Sequence, residues 1–121
     1  MKDMQQWDVW ELDQQAAREL TDPKQPLDSK RKGRRYVVLS IAKNIQNTGV
    51  VVCSPIGEHP VIFAYNPQIA KGEAASTKDC CLWCHEIYTF SVKLFGKKVG
   101  SLSHRQEELK ALYRLYLRLD F

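Results

Sequence analysis

This sequence predicts a mainly β fold with a C-terminal α-helix, a small antiparallel β-barrel or curled sheet. Three observations carry that expectation. Short apolar runs at Tyr36–Ala42, Val50–Cys53, Val61–Tyr65 and Cys81–Phe90 are separated by turn-forming glycine, proline and asparagine, as strands are. A single helical stripe, Leu109, Leu112, Tyr113 and Tyr116 at i, i+3, i+4 and i+7, stands at the end of the chain. Strands do not alternate with helices, which disfavours a parallel doubly wound sheet. At 121 residues the chain is expected to be one domain, 1–121, long enough to close a core without staples.

Taken in order, Trp7 to Leu12 is aromatic and β-branched and reads as the opening strand. Asp13 to Gly33 is polar, carries Pro23 and Pro26, and reads as a long connection with a helical turn over Gln14 to Leu20. Tyr36 to Ala42 is almost continuously apolar, the pattern of a strand buried on both faces. Asn47-Thr48-Gly49 is turn chemistry before the strand Val50 to Cys53, which Pro55 is expected to end, with Gly57 in a turn. Asn66-Pro67 closes the strand Val61 to Tyr65, and residues 67–77 lead to a strand over Cys81 to Phe90. Ser91 to Leu102 holds a short strand and turn around Lys97-Lys98-Val99-Gly100. Ser103-x-x-Gln106 has the form of a capping box, Glu107 and Glu108 suit the first helical turn, and Arg114 and Arg118 suit the C-terminal end. The helix is expected to pack its stripe on the sheet.

A composition of 44% hydrophobic and 26% charged residues is that of an ordinary globular domain rather than a fibrous or disordered one. Met1-Lys2-Asp3-Met4-Gln5-Gln6 lacks the apolar core of a signal peptide, and no apolar run approaches the ~20 residues of a membrane span. The expected location is therefore the cytoplasm, with no membrane partner and with reduced cysteines. The net charge of +4 is unevenly placed, because Lys30-Arg31-Lys32-Gly33-Arg34-Arg35 gathers five cations in six positions. Such a cluster suits a polyanion, above all a phosphate backbone, and equally a solvated basic loop.

The stretch Cys80-Cys81-Leu82-Trp83-Cys84-His85-Glu86 admits several chemistries. Cys81-x-x-Cys84-His85 has the form of a haem attachment site, and Cys53, Cys81, Cys84, His59 and His85 together hold enough donors for zinc. In a regular strand Cys81 and Cys84 would face opposite sides, which opposes joint coordination and leaves the bland reading, inert buried thiols. No metal or cofactor is expected. Histidine is the side chain whose chemistry suits proton exchange near neutral pH, which makes His85 the preferred proton-transfer candidate. Glu86 would alternate to the other face, and His59 lies beyond the end of the Val50 strand. Arg34 and Arg35, directly before a buried strand, are placed to bind a phosphodiester and stabilise charge on it.

Three blocks resemble, in order, those of the MazF/PemK (Kid) toxins: Arg34-Arg35-Tyr36-Val37-Val38-Leu39-Ser40, Val50-Val51-Val52-Cys53-Ser54-Pro55-Ile56-Gly57 and Leu82-Trp83-Cys84-His85-Glu86-Ile87-Tyr88-Thr89-Phe90. Trp7-Asp8-Val9-Trp10 is similar to the family's opening Gly-Asp/Glu-hydrophobic-Trp, and Gly100-Ser101-Leu102-Ser103 to its Gly-x-Leu-Ser/Thr element. The resemblance implies a MazF/PemK–CcdB-like, SH3-like barrel that forms a homodimer. It also implies an mRNA interferase: a metal-independent endoribonuclease that cuts single-stranded RNA and is neutralised by an antitoxin protein.

Laid on the family pattern, Arg34 matches the catalytic arginine and Arg35 replaces the motif proline. Gly57 stands where the family has threonine, and Ser54 offers a hydroxyl nearby. His85 falls where some members carry a catalytic aspartate, Glu86 follows it, and Trp83 replaces an arginine. Asp28 is an approximate counterpart of the family's acidic loop residue. The implied mechanism is attack of a 2′-hydroxyl on phosphorus, with Arg34 and Arg35 stabilising the phosphorane and His85 as base or acid. His59 and Glu86 are candidates for the second proton transfer, Lys30, Arg31 and Lys32 would follow the RNA backbone, and Ser54, Gly57 and His59 are expected to contact the RNA as well. The missing proline, threonine and acid keep a second reading open, a catalytically inactive relative that binds nucleic acid or inhibits a protein target.

Overall fold

The structure, a computed structural model, describes residues 2–13, 15, 35–57 and 66–117. The expected strand Val61 to Tyr65, all but Gln15 of the expected helical turn, and the long connection beyond Asp13 lie outside them.

Among the described residues seven strands form one antiparallel sheet: β1 (Asp8–Leu12), β2 (Arg35–Val38), β3 (Val50–Gly57), β4 (Gln68–Ile69), β5 (Cys80–Leu82), β6 (Tyr88–Ser91) and β7 (Phe95–Ser101). Their order is β4-β5-β3-β2-β1-β7, with β6 also paired to β3. Helix α1 (Ala42–Thr48) links β2 to β3, and α2 (Gln106–Tyr116) follows β7. The sheet curls until the 3₁₀ turn Glu73–Ala75 packs on β7. Gly100 makes that approach possible, since a β-carbon there would stand 2.9 Å from Ala74 Cα.

The central strands are covered on both sides, as their continuous apolar sequence requires. Tyr36, Val37 and Val38 are all fully buried, and they alternate between two cores. Val37 joins Trp7, Val9, Ile56, Leu82, Leu109 and Tyr113 under α2. Tyr36 and Val38 join Trp10, Leu12, Val51, Cys53 and Phe95, with Ile45 of α1 closing the opposite face. In α2 the stripe packs as expected, with Leu109 and Tyr113 buried and Leu112 and Tyr116 partly buried beside them. At the start of β1, Asp8 is buried and organises the entry by accepting from the backbone N–H of Gln5 at 2.8 Å and from Trp10 Nε1 at 3.3 Å.

Four expectations are corrected. First, Ala42–Thr48 is helical, taking in Asn47 and Thr48 of the expected turn. Gly49, at φ 72°, adopts the left-handed conformation that ends α1, and its N–H donates to Ile45 O at 2.8 Å. Second, β3 runs through Pro55 to Gly57. Pro55, which has no N–H to give a ladder, lies where one edge of β3 passes from β6, ending at Cys53, to β5, beginning at Ile56. Third, Cys81 to Phe90 is two strands joined by a turn over residues 83–87. Fourth, no capping box forms: Ser101 Oγ lies 3.1 Å from both the N–H and Oγ of Ser103, and a 3₁₀ turn, Ser103–Arg105, precedes α2. Arg105 anchors the helix start instead, through Glu108 at 2.7 Å, Glu73 at 3.0 Å and Gln68 O at 2.8 Å.

Candidate active site

The turn between β5 and β6 has no glycine or proline, yet it is tied down on every side. Trp83 N–H donates to Pro55 O at 3.0 Å, Cys84 N–H to Leu82 O at 3.1 Å, and Glu86 N–H to Trp83 O at 3.0 Å. Ser54, fully buried, donates its hydroxyl to Glu86 O at 2.7 Å. The turn is thus tied to Ser54 and Pro55 of β3, which fixes the backbone at His85.

The His85 ring is held by three side chains from separate parts of the chain. It stacks on Trp83, with centroids 5.8 Å apart and planes 22° from parallel, and lies 6.5 Å from the ring of Tyr116. Its Nδ1 is 3.1 Å from Asn66 Nδ2 and 3.4 Å from Asn66 Oδ1. Asn66 is itself buried, and its Oδ1 accepts from the Tyr116 hydroxyl at 3.1 Å. A half-buried imidazole fixed in this way is suited to hydrogen bonding or proton exchange with a ligand.

Glu86 turns the other way. Its Oε1 accepts from Tyr88 OH at 2.7 Å, and Tyr88 belongs to the margin of the core under α1. His85 and Glu86 therefore diverge, as alternation would have required, although a turn rather than a strand separates them. Burial, the nearby Cys53 thiol, Tyr88 and Glu86 together push the Tyr36 phenol well above its ordinary range.

Arg35 is engaged elsewhere. Its Nη1 donates to Ala74 O at 3.1 Å and to Ser76 Oγ at 2.7 Å, and its Nη2 to Cys80 Sγ at 3.4 Å. The guanidinium thereby clasps β2 to the segment that closes the barrel. Gly57 ends β3 opposite Cys81 and is buried. Ser54 has no exposed surface, which corrects the expectation that its hydroxyl faces RNA. Lys30, Arg31, Lys32, Arg34 and His59 lie outside the described residues.

All four cysteines are free and buried. Burial pushes the Cys84 thiol up to about 12, raises Cys81, and raises Cys53 beyond the ordinary thiol range. Metal binding needs thiolates, which this environment disfavours. Among the described residues no three histidine, cysteine or acidic side chains are grouped to hold a metal ion. Cys81 and Cys84 are divided between β5 and the turn, so strand alternation does not separate them; burial is what sets their chemistry.

Sequence reasoning missed Asn66, Trp83 and Tyr116 as companions of His85. Asn66-Pro67 read as a strand terminator, and Tyr116 read as core stripe; no local signal joins residues 19 and 31 positions from His85. A cleft of about 760 Å³ opens between the two helices, with Trp7, Leu39, Ile87 and Tyr113 in its walls and Lys110 and Arg114 among its polar residues. No described helix is long and apolar enough to cross a membrane.

No protein-family model matches the sequence, and no curated protein matches it. Solved structures do. An endoribonuclease in complex with its cognate antitoxin, from a mycobacterial species, superposes with a TM-score of 0.70 at 12% identity, over 98% of each chain. The toxin MazF-mt6 of Mycobacterium tuberculosis gives 0.69 at 15% identity, over 94% of this chain and 99% of that one. A chain of the MazE-MazF complex (Form-II) of Deinococcus radiodurans gives 0.70 at 10% identity, over 99% and 100%. The curled antiparallel sheet with its terminal helix is the MazF fold.

Proposed function

We propose that this chain, folded as one MazF/PemK-like domain, is the toxin of a toxin–antitoxin pair and cleaves single-stranded RNA without a metal ion. Whole-length likeness to an endoribonuclease seen with its antitoxin supports the fold side of this reading. Because one fold hosts many functions, the observation that carries it is local: His85 is fixed by Asn66 and Trp83 on the turn after β5.

A base removes the 2′-hydroxyl proton, the freed oxygen attacks the adjacent phosphorus, and the bond to the 5′-oxygen breaks as that oxygen takes up a proton. Arg34 stabilises the phosphorane, and His85 provides one hydrogen-bonding or proton-transfer group. The other comes from His59, because Glu86 diverges from His85 and is held by Tyr88. Lys30, Arg31 and Lys32 follow the RNA backbone, so binding weakens with salt. The toxin works in the cytoplasm as a homodimer, and an antitoxin protein silences it.

The direct test is incubation of pure protein with single-stranded RNA in EDTA. Cleavage leaving 2′,3′-cyclic phosphate ends, and slowed by at least about 100-fold in Arg34→Ala and in His85→Ala, is the expected result. RNA that stays intact overturns the nuclease reading. Growth arrest by a protein that leaves RNA intact would favour the binder instead, and the buried, committed hydroxyl of Ser54 is the observation on that side, since it does not replace the one missing at Gly57.

A further inference from the structure

We infer that the cleft between α1 and α2 is the docking site for an acidic segment of a partner protein, one that carries large apolar side chains. Neither the RNA substrate nor the chemistry of His85 enters into this, so it stands apart from the nuclease reading.

The cleft, of about 760 Å³, has Leu39, Val52, Ile87 and Leu117 in its walls, and the apolar surface continues past it. Ile41, Val50 and Leu117 are exposed at 48%, 38% and 55%, although each is large and hydrophobic. Ile41 directly follows Ser40, a cleft residue. Val50 stands two positions before Val52 in β3 and so shares its face, while Leu117 belongs to the wall itself. Leu115 is the one other large hydrophobic side chain so exposed among the described residues. Apolar side chains gathered in this way, rather than scattered singly, mark a surface that another molecule covers. A small ligand held within the cleft would leave Ile41 and Val50 in water, so the occupant is a length of chain.

Charge decides which kind of chain. Lys110 and Arg114 line the cleft, one turn apart on α2, and no acidic residue is among the described residues that line it. Lys110 Nζ lies 3.6 Å from Glu107 Oε1, an exposed pair that costs little to give up, and Arg114 is exposed. Carboxylates set beside apolar side chains would answer both features of the surface. A second copy of this chain would bring the same two cations and the same net charge of +4 to the contact. Nucleic acid would supply the charge, but Trp7 and Tyr113, the aromatic rings of the walls, are buried and offer no open face on which a base could stack.

Selection from a random-peptide display library on the full chain, without RNA, tests the chemistry directly. Enriched peptides should combine aspartate or glutamate with leucine, isoleucine, phenylalanine or tryptophan, and a synthetic copy should bind more weakly as salt rises. Arg114→Glu reverses one cleft charge and Leu117→Asp breaks the apolar wall; each should weaken that peptide by at least about tenfold. Both side chains are exposed, so the variants should fold, and urea unfolding checks that they do. Lys97→Glu, at an exposed cation of β7 outside the cleft, should change binding by less than about twofold, which separates the cleft from net charge. A selection that enriches nothing, peptides without acidic residues, or binding indifferent to both cleft variants overturns the inference. So does self-association lost in Arg114→Glu, which would make the cleft a contact between copies. Displacement of the peptide by a uridine oligonucleotide that Arg114→Glu no longer binds would make it a nucleic-acid surface and overturn the inference too. A chain that binds the peptide as expected but leaves RNA intact in EDTA overturns the nuclease reading alone.

Discussion

Arg35 donates from Nη1 to the hydroxyl of Ser76 at 2.7 Å, joining the first residue of β2 to the loop that precedes β5. With Ala74 O and Cys80 Sγ as further partners, the guanidinium is a fastening of the barrel. Its neighbour Arg34 has the catalytic assignment in the proposed mechanism. Substituting the two should therefore separate stability from chemistry. Arg35→Ala removes charge-assisted bonds and should lower unfolding stability by about 2 kcal/mol, while Arg34→Ala should leave it nearly unchanged and abolish cleavage. Urea unfolding beside an RNA cleavage assay measures both. If Arg34→Ala unfolds as readily as Arg35→Ala, the division of labour is wrong.

The same closure makes a second prediction. A β-carbon on Gly100 would stand 2.9 Å from Ala74 Cα and 3.3 Å from Ala74 C, both backbone atoms that cannot swing aside. Gly100→Ala should cost about 1–3 kcal/mol, the range for overpacking a tight contact. Gly96 in the same strand is the control, because its nearest neighbour would be 3.6 Å away. Gly96→Ala should fall within about 0.5 kcal/mol of wild type. Thermal melts of the two variants decide it: equal losses would mean that β7 does not close against the 73–75 turn.

What was legible in the sequence was what repeats. Alternating or continuous apolar residues marked β1, β2, the start of β3 and the packing stripe of α2, because burial imposes a period on the side chains. Helix α1 has one buried residue, Ile45, and no acidic first turn, so it carries no stripe to read. The turn over residues 83–87 is hidden because apolar Trp83, Cys84 and Ile87 fill it, and its shape comes from long-range partners, Pro55 O and Ser54 Oγ. His85 stood out by its chemistry and by the resemblance. Asn66 and Tyr116 did not, since only the folded chain brings residues from before β4 and the end of α2 to one ring.

Trp7 poses a competition between backbone and side chain. Its φ is 72°, a conformation that suits glycine, and the likened family has glycine there. The strain, about 1–2 kcal/mol, is outweighed by burial of the indole, whose ring lies 6.2 Å from that of Tyr113. Trp7→Gly regains the strain but loses about 3–5 kcal/mol of packing, so it should destabilise by about 2 kcal/mol. Trp7→Ala loses the packing and keeps the strain. Glycine should therefore be the milder of the two substitutions, the reverse of the usual order at a position without positive φ. Alanine proving milder would show that the backbone at position 7 is not held in the left-handed region.

Alkaline pH should loosen the protein through its thiols. Burial pushes Cys84 from 9.0 up to about 12, and Cys53 and Cys81 move the same way. Below about pH 9 both the folded and unfolded thiols are protonated, and the stability associated with Cys84 is fully present. As pH rises from 9 toward 12 the unfolded thiol gives up its proton while the folded one keeps it, so the unfolded state binds fewer protons and unfolding becomes easier. The loss is about 1.4 kcal/mol per pH unit for one such group, levelling off near 12. Tyr36 and Tyr113, also raised by burial, add to the loss above pH 10. Urea unfolding at pH 7.5 and pH 10 under reducing conditions should show a fall in stability. Cys84→Ala, although less stable at pH 7.5, should lose about 1 kcal/mol less over the same interval. Identical losses in the two proteins would show that the Cys84 thiol is not protected from ionisation by the fold.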